Sequence, residues 1–191
     1  MGLDSSRPAA HYWFMPMSLE DVNGMDEAAF VAALGPAFEN SPGFARAVWN
    51  ARPFASVAAL KAAIARSVDD AHETEKLVLL RAHPDLAGKA ARAGTLGAHS
   101  TREQAGAGLD RLNDAEYERF HRLNEAYAGK FGFPFIIAVR DHDKEGILAA
   151  FERRLENAMA EEMATALAQV KRIVELRLDD MIAAGAPLSD A

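Results

Sequence analysis

The stretch Arg81-Ala82-His83-Pro84-Asp85-Leu86-Ala87-Gly88 follows an apolar run, Leu77 to Leu80, and puts a histidine where a helix must stop. Proline disfavours the α conformation of the residue before it, so His83 is expected just past the last helical turn, in extended backbone. The carbonyls ending that turn carry partial negative charge and favour a protonated ring. Asp85 is placed to cap a following turn. An imidazole held rigidly, with a pKa tunable around neutrality, is suited to general acid–base chemistry. The same eight residues also describe a hydrogen-bonded histidine at a helix end.

Ser100-Thr101-Arg102-Glu103 reads as a capping box, in which serine and glutamate exchange bonds with backbone amides at a helix start. The rival reading turns Glu103 and Gln104 towards a ligand, the carboxylate accepting and the amide both donating and accepting. Arg177 falls three residues after Val174 and one before Leu178, near the apolar side of its helix. It is either a snorkelling surface arginine or an anion clamp using its planar fork. From Arg81 to Gln104, four basic residues (Arg81, Lys89, Arg92, Arg102) outnumber two acidic ones (Asp85, Glu103) in a chain of net charge −7. Such a local inversion suits a small anion.

The elements that must position these groups are helical. In 191 residues, half are apolar, 26% are charged and only 8% are aromatic, which favours helix over sheet in one domain with a sizeable core. Ser18, Asp26, Ser41-Pro42, Ser56, Asp114 and Asp143 are expected to start helices. The helix after Ser41 should bury Phe44, Ala47 and Val48, and the one after Ser56 should bury Leu60, Ala63, Ile64 and Val68. A long last helix from about Ala160 to Ala183 should bury Leu167, Val170, Val174 and Leu178. Between helices lies Lys130 to Arg140, whose β-branching and flanking Gly132 and Pro134 predict a short extended segment near 133–140. Its backbone has no sheet to pair with and needs other partners, a ligand among them. The expected architecture is all-α: a single-domain bundle of about eight or more helices. The domain should span 17–185, with a loose N-terminal tail (1–16) and a C-terminal tail (186–191).

Several classes are set aside. The chain has no cysteine, so thiolate metal sites and cysteine nucleophiles are excluded. Net charge of −7 argues against a nucleic-acid surface. The longest strongly apolar segment, 131–139, is far short of the roughly 20 residues a membrane helix needs. No phosphate loop, Gly-x-Ser-x-Gly elbow or tight metal-ligand spacing occurs, so no metal is expected. A cytoplasmic setting is the default expectation.

The sequence resembles the 2-oxo-4-hydroxy-4-carboxy-5-ureidoimidazoline (OHCU) decarboxylase family, which makes allantoin from the last intermediate of urate oxidation. The likeness rests on Leu34-Gly35 with Phe38-Glu39-Asn40-Ser41-Pro42, Arg52-Pro53-Phe54, Arg81 to Gly88, Ser100 with Glu103-Gln104, Asn124 with Tyr127, Lys130 to Arg140, and Arg177-Leu178. The resemblance implies a cofactor-independent carboxy-lyase, a small-molecule ureidoimidazoline substrate and a homodimer, with no nucleic acid or membrane. By the same resemblance, His83 is the catalytic residue. Pro84, Ser100, Glu103, Gln104, the run Phe135, Ile136, Ile137, Ala138 and Val139, then Arg140 and Arg177 are substrate-binding. The alternatives are a helical ligand- or partner-binding module without catalysis, or a ureide hydrolase on the same scaffold.

Overall fold

The computed structural model describes residues 16–39 and 41–183. The expected tails therefore lie outside the described residues, apart from Pro16. Ten α-helices run in chain order: α1 (Leu19–Gly24), α2 (Glu27–Leu34), α3 (Pro42–Trp49), α4 (Val57–Asp69), α5 (Glu73–Arg81), α6 (Lys89–Arg92), α7 (Ala98–Gly106), α8 (Asp114–Phe131), α9 (Lys144–Arg154) and α10 (Met159–Met181). Among the described residues two 3₁₀ turns, Gly35–Phe38 and Val139–Asp141, accompany these helices. Among the described residues there is no strand, only one isolated bridge between Met17 and Ile182.

Local chemistry sets most helix starts. Ser18, Asp26, Ser56 and Asp143 each accept from the backbone amide three residues on. Two starts differ from expectation. Asn113, not Asp114, caps α8 through a reciprocal bond with Glu116. The Ser41 hydroxyl caps nothing, and Pro42 alone sets the first turn of α3. On α3 it is Ala45, not Ala47, that turns inward with Phe44 and Val48.

Helix α10 is the axis of the fold. It packs on α4, on α5 and on the 35–38 turn, and it buries Ala166, Val170, Ile173, Val174, Arg177 and Leu178. Leu167, expected inside, is only half-buried. On one side the core holds Phe30, Leu34, Phe38 and Phe54. On the other, Phe135 stacks on Phe151 at 3.7 Å between ring centres, and Tyr127 meets both rings edge-on.

After Gly132 closes α8 in the left-handed conformation at φ 74°, residues 134–138 form neither helix nor strand, and the segment expected to run extended to 140 gives way to the 3₁₀ turn at Val139. Side chains take the place of a neighbouring strand. Arg81 Nε donates to the Gly132 carbonyl (2.9 Å), Arg154 Nη1 to the Ile136 carbonyl (2.7 Å), and the Ala138 amide donates to Gln169 Oε1 (2.8 Å). Arg154 is itself buried against Glu162, its Nε 2.9 Å and its Nη2 2.5 Å from Glu162 Oε1. Tyr127 and Asn157 also donate to that carboxylate. A buried charge needs such pairing, since desolvating it alone is prohibitive.

Candidate active site

His83 lies two residues past the end of α5 and is 8% exposed. Its Nδ1 is 2.9 Å from the carbonyl oxygen of Leu79. A carbonyl only accepts, so Nδ1 carries the hydrogen and Nε2 keeps a lone pair for the cavity. Burial is the largest influence on the ring and pushes its pKa below the ordinary value. The Leu79 carbonyl and the charges of Glu39 and Glu103 act upward without overcoming it. The helix end was expected to favour the protonated ring; desolvation reverses that expectation.

The loop after His83 is held by two amides from distant helices. Asn124 Nδ2 donates to the Leu86 carbonyl (2.8 Å), and Gln104 Oε1 accepts from the Ala87 amide (2.9 Å). Ala87 sits at φ 52°, a conformation L residues rarely adopt. Gly88 is required by close approach: a Cβ there would lie 2.7 Å from the Asp85 Cβ. Asp85 makes no cap bond among the described residues.

Ser100 and Glu103 do not form the capping box. Helix α7 begins two residues earlier, at Ala98 with Gly97 as its cap, which puts Ser100 and Glu103 inside the helix with their side chains turned inward. Glu103 grips Arg177 with both oxygens, Oε1 to Nε at 2.8 Å and Oε2 to Nη2 at 2.6 Å. Arg177 is 1% exposed, which overturns the snorkelling alternative. Its Nη1 donates to the Ala37 carbonyl (3.2 Å), and its Nη2 also lies 2.6 Å from Glu39 Oε1. Burial lowers the guanidinium's proton affinity, but the bonds and charges of Glu103 and Glu39 more than restore it, so Arg177 is firmly charged. The planar fork is spent on two carboxylates of the chain itself, which is not a vacant anion clamp.

These groups close around a small cavity of about 30 Å³, room for a water or two. Of the expected residues, His83, Pro84, Ser100, Glu103, Gln104, Phe135, Ile136, Ile137, Val139 and Arg177 line it. Ala138 and Arg140 do not. Ala138 is buried with its amide on Gln169. Arg140 is exposed, pairs with Asp180 at 2.7 Å and faces an adjoining outer pocket with His99, Arg102 and His142. Three lining residues escaped the sequence reading: Glu39, Leu86 and Ile173. Ile173 lies one helical turn before Arg177 on the same face, a signal that spacing carries. Glu39 had no periodicity to reveal it. Among the described residues, no three His, Cys, Asp or Glu side chains gather as a metal site would require.

The fold and site define a class: an all-helical protein with a small histidine–carboxylate–guanidinium pocket. A family model described as OHCU decarboxylase matches residues 23–179. A relative named 2-oxo-4-hydroxy-4-carboxy-5-ureidoimidazoline decarboxylase from Haloferax volcanii is 44% identical over 162 residues, covering 85% of this chain and 94% of that protein. Its counterpart from Halalkalicoccus jeotgali is 43% identical over 165 residues, covering 86% and 92%. A crystal structure of (S)-allantoin synthase superposes with a TM-score of 0.69 at 32% identity, over 87% of this chain and 54% of that one. The chain belongs to the OHCU decarboxylase family.

Proposed function

We propose that this chain is a carboxy-lyase that decarboxylates OHCU to (S)-allantoin, with His83 as the group that moves protons. Family membership supports the reaction. The observation that carries the residue assignment is the His83 ring, fixed through Nδ1 with Nε2 towards a cavity shared with Glu103 and Arg177.

The substrate's name states its chemistry. Ring carbon 4 bears the hydroxyl and carboxylate, carbon 5 bears the ureido group, and the ring holds one C=N bond. When the C4–carboxylate bond breaks, its electron pair forms C4=C5 and the C=N pair moves to nitrogen, which takes up the one proton consumed overall. The resulting enol becomes the ring amide carbonyl when its hydroxyl loses a proton and C5 gains one. Ring and side chain thus hold the electrons in transit, and the protein's task is orientation and proton delivery to one face. A neutral His83 takes the hydroxyl proton at Nε2 and returns it to C5. Glu103 and Gln104 bind ureido and ring N–H and C=O groups, and the apolar run 135–137 walls the ring off from water. Arg177 pairs with Glu103 before substrate arrives; gripping the departing carboxylate instead would steady the ground state and slow the reaction. The same reading takes Ser100, Pro84 and Val139 as pocket wall and includes a homodimer in the cytoplasm, the dimer being checked by light scattering.

Freshly generated urate-oxidation intermediate, followed by circular dichroism, tests the proposal. The chain should accelerate appearance of the optically active product. An unchanged rate with racemic allantoin would return the chain to a binding module.

A further inference from the structure

Glu39 is an acidic residue in a backbone conformation made for glycine. It follows the 35–38 turn at φ 53°, ψ −126°. Its carboxylate is 10% exposed and accepts at Oε1 from Ser100 Oγ (2.5 Å) and Arg177 Nη2 (2.6 Å). Burial works against its ionisation, but the Arg177 charge and the two hydrogen bonds outweigh it, so the group stays below the usual carboxylate range.

Arg177 Nη2 has two hydrogens and three oxygens around it: Glu39 Oε1 and Glu103 Oε2, each at 2.6 Å, and Ser100 Oγ at 3.3 Å. One guanidinium serves two carboxylates, one more than neutrality needs. The two are held differently. The segment carrying Glu39 grips Arg177 twice, through Glu39 and the Ala37 carbonyl. Glu103 is the carboxylate on α7, beside the Gln104 amide that also lines the cavity.

We propose that Glu39 is a positioning residue, the permanent counter-ion of Arg177 that frees Glu103 to leave the pair and bind substrate. This rests on the reading of Glu103 as a substrate-binding group. With Glu39 in place, Arg177 can give up the two Glu103 bonds to a ligand-bound Glu103 without becoming a buried unpaired cation. Glu39 also adds a fixed negative charge facing His83, which steadies the imidazolium formed in transit. The charged and titratable groups facing that ring are Glu39 from the turn, Glu103 from α7 and Arg177 from α10. The extended segment contributes only Phe135, Ile136 and Ile137.

The test pairs Glu39→Gln with Glu39→Gly, each assayed for kcat, KM, pH profile and Tm on the full chain. Glu39→Gln should lower kcat about 10- to 100-fold, in the range expected when a supporting hydrogen-bond partner is removed, with a smaller change in KM. The acidic limb of its kcat/KM profile should move to lower pH, because His83 loses a negative neighbour. Glu39→Gly suits the backbone and should hold or raise Tm while losing at least as much kcat. Either of two outcomes overturns the inference: Glu39→Gln within threefold of wild type with an unmoved acidic limb, or loss of Tm in both variants with no pH shift. No turnover by the wild-type chain would instead sink the functional reading, and this inference with it.

Discussion

One imidazole nitrogen bonded to the Leu79 carbonyl and a ring that lines the cavity suit His83 to the proposed role of proton carrier. His83→Ala should cost about two to four orders of magnitude in kcat, the usual contribution of a general acid–base group, with Tm little changed. The ring's depressed pKa also has a stability consequence. The unfolded chain protonates this histidine more readily than the folded one, so stability is full above about 6.5 and declines as pH falls below it. His83→Gln should flatten that decline in a Tm-against-pH series, leaving His99, which burial also depresses, as the remaining contributor. Glu39 acts in a separate window: its lowered pKa gives stability that is lost as pH drops below about 4.5. Arg177→Leu would leave Glu39 and Glu103 buried without a counter-charge, at about 3–5 kcal/mol by urea denaturation at pH 7. The loss should shrink at pH 4, where Glu39, without its counter-charge, can take up a proton. At this scale the sequence was uneven. Pro84 announced His83, because proline's steric reach fixes the residue before it. Ser100 and Glu103 matched a capping pattern so well that the residues alone left the capping and ligand-facing readings open. A four-residue signature cannot say which helix turn it occupies, and here the helix starts at Ala98.

Among the elements, the loop from His83 to Gly88 and the extended segment 133–138 do most of the positioning, and neither is regular. Gly88→Ala would drive a Cβ to 2.7 Å from the Asp85 Cβ, neither able to swing aside. A loss of about 1–3 kcal/mol is expected for such overpacking, with a parallel fall in kcat as His83 shifts. Asp85→Gly in the same chain removes the opposing atom and should recover most of both. The extended segment depends on Arg154, which ties the Ile136 carbonyl to the buried Glu162. That it is not helical could be read from composition, since Gly132, Pro134 and the β-branched Ile136, Ile137 and Val139 are poor helix formers. Its partners could not, because Arg154, Gln169 and Arg81 reach it from three separate helices and only the folded chain sets those distances. Helix starts were legible wherever a side chain bonds the amide three residues on, as at Ser18, Asp26, Ser56 and Asp143. Asn113 and Asp114 offered the same chemistry one position apart, and the first of them took the role.

For the whole molecule, a cavity of about 30 Å³ holds a water or two, and a ureido-bearing ring is expected either to open its wall or to reach into the adjoining pocket that shares Glu103 and Val139. The stretch from 89 to 97, which joins the His83 loop to α7, carries a four-residue helix and mostly exposed side chains, the composition of a low-stability unit. Hydrogen exchange with and without (S)-allantoin should show slowed exchange concentrated between residues 89 and 108, with α10 unchanged. Slowing spread evenly over the helices would argue against a local opening. The bridge between Met17 and Ile182 has a consequence of another kind. The Met17 amide donates to the Met181 carbonyl (2.8 Å) and the Ala183 amide to Met17 (2.9 Å), so the first and last described segments lie side by side. A short peptide joining 183 to 17 would turn the domain into a closed ring of chain, and a new opening cut near Gly94 would yield a rearranged protein with the same interior.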